Sequence, residues 1–331
     1  MKNKITVIGS GAMATAIAKV AYDAGNENIV IYGVKQTELD ELTKGFNTRY
    51  FPNSVTLPKF KTSNDITEAL EEASYVILAV PSKVMDIVLA NVISNLSSEV
   101  ILVNVAKGFF PGTELSLHEG IYEAIKNNEL IRGSVSVIGP SHAEEIVRKQ
   151  PTAVAIVDKD KKIIAEIQKI LNNDYFRTYV QTDVKGAEVG AAYKNVLAIV
   201  SGMVSGMGYG INSTAALLTR GIKEMAKFNK AMKGKPETIM GLTGVGDLIV
   251  TALSPLSRNF AFGKKLATEG LKALKTDTTV EGITSLDIIY KIANSKKIEL
   301  PIVNFLYEIL YKNRDINTII KTFWDRELTA E

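Results

Sequence analysis

The sequence predicts an α/β protein in which an N-terminal Rossmann-type, doubly wound sheet is followed by an all-α C-terminal half. Short apolar runs of β type alternate with helical segments up to about residue 183. These runs are apolar at consecutive positions, which is typical of parallel strands covered on both faces. Beyond residue 183 the segments have helical length and little alternation. We therefore predict a sheet domain over residues 1–183 and a helical domain over residues 184–331.

Two sets of elements follow from these patterns. The strands are predicted at Ile5–Ile8, Ile29–Tyr32, Tyr75–Val80, Val100–Val105, Val135–Ile138 and Ala153–Val157. The long helices are predicted at Asp183–Ser205, Thr214–Asn229, Phe260–Glu269, Thr284–Ala293 and Ile302–Leu310. Asp183 is suited to cap the first of these helices, because its carboxylate can accept hydrogen bonds from free N–H groups.

The composition excludes several kinds of protein. Hydrophobic residues make up 46% and charged residues 23% of the 331 residues, which is ordinary for a globular protein. The net charge of +3 gives no reason to expect a nucleic-acid partner. The absence of cysteine excludes a disulfide, a thiolate nucleophile and a Cys-ligated metal, and two histidines are too few for an all-His zinc site.

The N-terminal apolar run does not resemble a targeting segment. It ends at Gly9, and no stretch of the chain reaches the roughly 18 apolar residues that a membrane span needs. We expect a cytoplasmic protein that inserts into no membrane and binds no nucleic acid.

A glycine-rich turn follows the first strand and precedes a helix. Its sequence is Gly9-Ser10-Gly11-Ala12-Met13-Ala14. In such a turn the first glycine makes the bend, the second lets a pyrophosphate approach the backbone, and the small last residue packs helix on strand. The N–H groups at the start of the helix then bind the anion. This context favours dinucleotide binding over a turn without a ligand.

The residues at the end of the second strand indicate whether the adenosine ribose of that dinucleotide has a free 2′-OH or a 2′-phosphate. Such strands end in Asp or Glu when the adenosine ribose has a free 2′-OH. Here Gly33, Val34 and Lys35 follow the strand, and Lys35 can neutralise a 2′-phosphate. We predict that the cofactor is NADP or NAD, with some preference for NADP. The alternative is that Lys35 is an ordinary solvated lysine.

Two lysines are candidates for proton transfer. Lys194 lies in the segment at residues 190–200, where most neighbours are small or apolar, so we expect a buried helix. Burial lowers the pKa of an ammonium group towards the range useful to a proton donor or acceptor. Lys107 follows an apolar strand, at the end where doubly wound folds bind ligands. The alternatives are a Lys194 that extends its charged end to solvent and a Lys107 without function in a loop.

Three further segments place polar groups where a ligand can reach them: Gly139-Pro140-Ser141-His142-Ala143, Gly244-Val245-Gly246-Asp247 and Ser257-Arg258-Asn259. The planar arginine in the third segment suits a phosphate. A capping aspartate and a surface arginine remain the plain alternatives, and for His142 a solvated or capping role is favoured.

The chain resembles the bacterial NAD(P)-dependent sn-glycerol-3-phosphate dehydrogenases from Lys4 to about Asn313. The matching stretches occur in the same order and spacing, and they are Gly9–Ala14, Val80–Ser82, Ala106–Gly108, Gly139–Glu145, Pro151–Ala153, Lys194–Asn195, Gly206–Gly210, Thr219–Glu224, Gly241–Leu248, Ser257–Asn259 and Val280–Gly282.

The resemblance implies interconversion of dihydroxyacetone phosphate and glycerol 3-phosphate at a site between two domains. It implies Lys194 and Lys107 as catalytic residues. The implied substrate contacts are Lys107, Gly139, Ser141, Lys194, Asp247, Ser257, Arg258 and Asn259. The implied cofactor contacts, added to Lys35 and the glycine-rich turn, are Lys107, Ala143, Arg258 and Glu281. A homodimer and a role in supplying glycerol phosphate for phospholipid synthesis are also implied.

Four positions depart from the pattern of the family. Ala14 replaces the usual glycine and is still small. Ser205 stands where many members have Asp, and Ile211 stands where a polar or acidic residue is common. Val34 replaces a residue that is frequently polar or basic.

Two alternatives remain at this point. One is another two-domain NAD(P)-dependent dehydrogenase that acts on a hydroxy or keto acid, which would need a carboxylate-binding group. The other is a non-catalytic nucleotide-sensing protein, which would not need both candidate lysines.

Overall fold

The computed structural model describes residues 3–275 and 279–318. Its first half is an eight-stranded sheet with the strand order β3-β2-β1-β4-β5-β6-β7-β8. The strands are β1 (Lys4–Ile8), β2 (Ile29–Tyr32), β3 (Lys61–Ser63), β4 (Ala73–Leu78), β5 (Val100–Asn104), β6 (Ile131–Ile138), β7 (Thr152–Val157) and β8 (Phe176–Gln181). This arrangement confirms the predicted doubly wound fold.

Seven helices connect the strands or cover the sheet. They are α1 (Ala12–Asp23), α2 (Gln36–Lys44), α3 (Ile66–Leu70), α4 (Met85–Ser94), α5 (Leu117–Ile125), α6 (Ala143–Ile146) and α7 (Lys161–Leu171). Apolar residues on both faces of the sheet are buried against them. This burial accounts for the consecutive apolar positions in the central strands.

The described part of the second half is entirely helical, as predicted. Its helices are α8 (Val184–Gly206), α9 (Ile211–Ala231), α10 (Pro236–Ile239), α11 (Asp247–Ala252), α12 (Arg258–Glu269), α13 (Glu281–Ser295) and α14 (Pro301–Lys312), with a π-helical turn over Leu242–Gly246. Helix α8 lies at the centre, and every residue from 186 to 204 is buried. Asp183 caps this helix, with Oδ1 accepting from the N–H of Gly186 at 3.1 Å.

The structure differs from the sequence prediction in several elements. Strands β3 and β8 were not predicted, because β3 has three residues and β8 is an edge strand with partly exposed polar positions. Strand β7 pairs antiparallel with β6, whereas the other neighbouring strands pair parallel. Strand β4 ends two residues earlier than predicted, and helix α9 begins at Ile211 rather than Thr214.

No helix among residues 3–275 and 279–318 is long and apolar enough to cross a membrane. The N-terminal sheet and the C-terminal helices each have a buried apolar core. The carboxyl ends of β5 and β6 face helices α8 and α11, because loops after these two strands contact residues of α11. This junction is the place to look for a site.

Candidate active site

The glycine-rich turn between β1 and α1 can accommodate an anion. Gly9 has φ +120°, and a Cβ there would lie 2.6 Å from the carbonyl oxygen of Ala79, so only glycine fits. Gly11 is the N-cap residue of α1, and among the residues that the structure describes no side chain caps the free N–H groups of this helix. A Cβ at Gly11 would meet only the Tyr50 side chain, at 3.8 Å or more. Open space and free N–H groups at a helix start fit a pyrophosphate.

Lys194 projects from the buried helix α8 towards α11. Its side chain is 6% exposed, and its ammonium group donates to Oδ1 of Asp247 at 2.6 Å and to Oγ1 of Thr251 at 2.8 Å. An ammonium group has three hydrogens. Within residues 3–275 and 279–318, these two partners account for two of them. The third is available to a ligand.

Lys107 approaches the same carboxylate from the sheet. It follows β5, and its Nζ donates to Oδ2 of Asp247 at 2.8 Å and to the carbonyl oxygen of Gly139 at 2.9 Å. Oγ of Ser141 lies 3.5 Å from the same Nζ. Asp247 is fully buried and binds one lysine with each oxygen. The two halves of the protein therefore meet at one carboxylate between two ammonium groups.

The pKa values of Lys194 and Asp247 are both lowered in this cluster, for different reasons. Burial lowers the pKa of Lys194 to about 8; the Asp247 carboxylate opposes this shift, and the Lys107 charge adds to it. Burial alone would raise the pKa of Asp247, but the two ammonium groups outweigh it and hold that pKa below its ordinary value. A buried lysine with a pKa near neutrality can donate or accept a proton in the working pH range.

The segment after β6 lies against Lys107. Oγ of Ser141 donates to the carbonyl oxygen of Gly139 at 2.9 Å, so this turn is held next to the ammonium group. Ala143 is buried at the start of the short helix α6. His142 occupies the N-cap position, and its Nε2 lies 3.1 Å from the carbonyl oxygen of Val250 in α11. This contact ties His142 to the helix of Asp247.

The start of α12 presents one exposed cation beside two buried polar groups. Oγ of Ser257 caps the helix by accepting from the N–H of Phe260 at 3.3 Å. Arg258 is exposed at the first helical position. Asn259 is buried; it donates to Oδ1 of Asn195 and accepts from the N–H of Gly282, both at 2.9 Å. Asn259 therefore joins three helices, and Arg258 is the group free to meet an anion.

Glu281 begins α13 close to this cluster. Burial raises the pKa of its carboxyl group, while the charges of Arg258, Lys194 and Lys107 oppose the shift. Lys35 lies apart from these residues, at the N-cap of α2, with its Nζ 3.5 Å from Oε1 of Glu38. The structure thus brings together the predicted residues of the reaction centre and places Lys35 on the side of the glycine-rich turn.

Sequence reasoning missed Thr251, Glu38 and Arg49. Thr251 lies four residues after Asp247 on one helix, a spacing that places both side chains on one face and could have revealed it. Glu38 lies three residues after Lys35 and binds Ser10 of the glycine-rich turn. Arg49 carries no such signal, because only the folded chain brings it to Glu38.

Comparison with known families gives two matches along this chain. The model of the N-terminal domain of NAD-dependent glycerol-3-phosphate dehydrogenase matches residues 4–164. The model of the C-terminal domain of the same family matches residues 183–321.

Individual proteins give the same result over nearly the full length. A glycerol-3-phosphate dehydrogenase [NAD(P)+] of Mycoplasma mobile is 48% identical over 329 residues, covering 99% of this chain and 98% of that protein. The corresponding protein of Staphylococcus epidermidis is 38% identical and covers 99% of both chains. The crystal structure of glycerol-3-phosphate dehydrogenase from Coxiella burnetii superimposes with a TM-score of 0.87 at 29% identity, covering 98% of this chain and 99% of that one.

Proposed function

Because this chain belongs to the family of NAD-dependent glycerol-3-phosphate dehydrogenases, we propose that Lys194 transfers the proton in the reaction of that family. The reaction interconverts dihydroxyacetone phosphate and sn-glycerol 3-phosphate, with NAD(H) or NADP(H) as cofactor. The observation that carries the assignment is the buried Asp247 carboxylate, which fixes Lys194 and Lys107 at the junction of the two halves. A different hydroxy-acid or keto-acid dehydrogenase is not favoured, since both family models name the same enzyme.

Lys194 supplies the proton and Lys107 orients the substrate oxygen. When bound, the nicotinamide cofactor would supply the hydride that adds to the carbonyl carbon. As that hydride adds, the oxygen gains negative charge, and the free hydrogen of Lys194 is transferred to it. Lys194 is left neutral and regains a proton from solvent. In the oxidation direction the neutral lysine accepts the hydroxyl proton. Asp247 remains ionised throughout and holds both ammonium groups next to the developing charge.

Arg258 is proposed to bind the substrate phosphate, together with Asn259. The guanidinium group is exposed at the start of α12, and its planar set of donors matches phosphate oxygens. Asn259 retains one amide hydrogen beyond its contact with Asn195. The hydroxyl group of Ser257 caps α12 as an acceptor and keeps its own hydrogen to donate. Gly139 and Ser141 complete the proposed substrate contacts beside Lys107.

The proposed cofactor contacts come from the loops that follow the strands and from the starts of α12 and α13. Residues 9–14 bind the pyrophosphate through free N–H groups, as the uncapped start of α1 allows. Lys35 lies on the ribose side, and Ala143, Lys107, Arg258 and Glu281 lie towards the reaction centre. The accessible cation at Lys35 supports some preference for NADP over NAD.

The setting of the enzyme is also a proposal. We infer that it works in the cytoplasm as a homodimer with a small-molecule substrate and supplies glycerol phosphate for phospholipid synthesis. The domain boundary is proposed between residues 183 and 184, where Asp183 caps the central helix of the second half. A light-scattering mass of twice that of the single chain is the expected result for the dimer, and a single-chain mass would contradict it.

One assay tests the proposed activity. Purified protein is mixed with NADH or NADPH, and loss of the reduced nicotinamide is followed with dihydroxyacetone phosphate, with dihydroxyacetone or with a 2-keto acid. We expect rapid oxidation of the reduced nicotinamide with dihydroxyacetone phosphate and not with the other two compounds, because Arg258 binds the substrate phosphate. Preferential reduction of the 2-keto acid would overturn the proposal.

A further inference from the structure

A second cluster of charges lies behind the glycine-rich turn. We call it the ribose-side cluster, and it consists of Ser10, Lys35, Glu38, Arg49 and Tyr50. Glu38 is 5% exposed and lies at its centre. Oε2 accepts from the hydroxyl of Ser10 at 2.5 Å, while Oε1 accepts from Arg49 at 3.2 Å and from Tyr50 at 3.5 Å and lies 3.5 Å from Nζ of Lys35.

The position of this cluster follows from the fold. In a doubly wound sheet the adenosine ribose lies between the glycine-rich turn and the end of the second strand, where an acid usually binds its hydroxyls. Here a Cβ at Gly33 would lie 2.9 Å from both Cβ and Oγ of Ser10, so no acid fits at that position. Glu38 instead approaches the same turn from the first turn of α2.

Glu38 is not itself arranged to bind a ribose. Both of its oxygens are engaged by protein groups, and it is nearly excluded from solvent. The cations around it are different, since the side chain of Lys35 is 47% exposed and that of Arg49 is 57% exposed. Arg49 also lies 5.6 Å from the centre of the Tyr50 ring, which limits its freedom. The surface offered to a ligand is therefore cationic.

The net charge of the ribose-side cluster determines how it can distinguish NADP(H) from NAD(H). Two cations and one carboxylate leave a net charge of +1, next to a place where NADP(H) carries a phosphate dianion and NAD(H) carries a neutral hydroxyl. We propose that Lys35 and Arg49 recognise the 2′-phosphate and that Glu38, by sharing these cations, limits the preference for NADP(H). This inference rests on the proposed function, and it assigns Glu38 and Arg49 to cofactor selection.

Three substitutions separate the contributions. Arg49→Gln removes a charged donor to the phosphate. Glu38→Gln keeps an oxygen for the Ser10 hydroxyl but removes the negative charge, so the cations act fully on the phosphate. Asp40→Asn is the matched control, because Asp40 is an exposed acid on the same helix and accepts from Gln36 rather than from the cluster.

The readout is binding of reduced cofactors without substrate. The Kd values of NADH and NADPH are measured by nicotinamide fluorescence at low salt. We expect the ratio Kd(NADH)/Kd(NADPH) to fall about tenfold in Arg49→Gln, because a charge-assisted hydrogen bond is lost. It should rise about fivefold in Glu38→Gln and stay within about twofold in Asp40→Asn. Added salt should lower the ratio in the unaltered protein more than in Arg49→Gln.

Failure of this inference can be distinguished from failure of the proposed function. Unchanged ratios in Arg49→Gln and Glu38→Gln, with both cofactors still bound, would overturn this inference and leave the proposed dehydrogenase intact. A fall of the ratio in Glu38→Gln would also overturn it, because the carboxylate would then favour the phosphate. If the unaltered protein binds neither NADH nor NADPH, both proposals are wrong.

Discussion

Asp247 and Glu38 each hold two cationic side chains, but water reaches the two groups very differently. The side chains of Lys107 and Lys194 around Asp247 are 13% and 6% exposed. The cations around Glu38 are about half exposed. Since charges interact more strongly where water is excluded, the Lys107 charge and the mutual interaction of Asp247 and Lys194 shift the pKa values of Asp247 and Lys194. The Glu38 group instead keeps cations accessible to an anion. Similar charge patterns thus suit proton transfer in one place and anion recognition in the other.

At the buried Asp247 cluster, removing a charged group also costs folding free energy. Removing one partner of a buried ion pair leaves an uncompensated charge and typically costs about 3–5 kcal/mol. Asp247 is fully buried between two ammonium groups, so its loss would affect folding as well as chemistry. Loss of one lysine leaves Asp247 paired with the other, whereas loss of Asp247 leaves two ammonium groups without it, so substitutions of the lysines are cleaner tests of mechanism.

The largest effect is expected for Lys194→Met. The variant should fold and bind NADPH, but kcat should fall about 10³-fold because general acid–base catalysis is lost. Lys185→Met is the matched control, since Lys185 lies on the same helix, is 46% exposed and pairs with Glu119 at the surface. If Lys194→Met keeps turnover within about threefold of the unaltered protein, the proton comes from another group, and Lys107 becomes the leading candidate.

Lys107→Met tests the second ammonium group at Asp247. We expect kcat to fall about 10²-fold and the KM for dihydroxyacetone phosphate to rise, because Lys107 both stabilises the developing charge and orients the oxygen. Lys126→Met, at an exposed lysine paired with Glu123, should leave both constants unchanged. A loss of kcat with an unchanged KM would remove the orienting role from Lys107.

Arg258→Lys tests phosphate recognition at the exposed start of α12. The substitution keeps the charge but loses the planar pair of donors, so we expect the KM for dihydroxyacetone phosphate to rise about tenfold with a smaller change in kcat. Arg132→Lys serves as the control, since Arg132 in β6 pairs with Glu166 of α7. An unchanged KM in Arg258→Lys would assign the phosphate to other groups, with the turn at Ser141 as the next candidate.

The smallest effect is expected for Thr251→Val. The hydroxyl oxygen of Thr251 accepts a hydrogen bond from the Lys194 ammonium group, which stabilises the charged form. Its removal should lower the pKa of Lys194 slightly below its value of about 8 and shift the pH profile of the reaction to lower pH. Thr219→Val, at an exposed threonine of α9, should leave the profile unchanged. A shift to higher pH in Thr251→Val would contradict the geometry described for Lys194.

Sequence reasoning predicted the parts of the molecule that depend on local pattern. The buried strands and the helix around Lys194 were predictable because their apolar residues repeat with the period of the element. The edge strands β3 and β8 and the reversed direction of β7 were not, since they depend on pairing between distant segments.

The same division applies to the site. The glycine-rich turn, Lys107 and Lys194 were identified from their positions at element ends or in an apolar helix. Lys107 and Lys194 lie 140 and 53 residues from Asp247 in the sequence, and no local sequence pattern indicates that they meet there. Gly33 illustrates the point further: the sequence shows that the usual acid is absent, and only the fold shows that Ser10 fills its space.

The most direct test of the central claim is the pH dependence of kcat/KM in both directions. Reduction requires the protonated form of Lys194, so its rate should be constant at low pH and fall as pH rises through about 8. Oxidation requires the neutral form and should fall as pH drops through the same value. In Lys194→Met the residual rates should show neither transition. Profiles without a transition near this pKa, or transitions that persist in Lys194→Met, would contradict the assignment of Lys194 as the proton donor and acceptor.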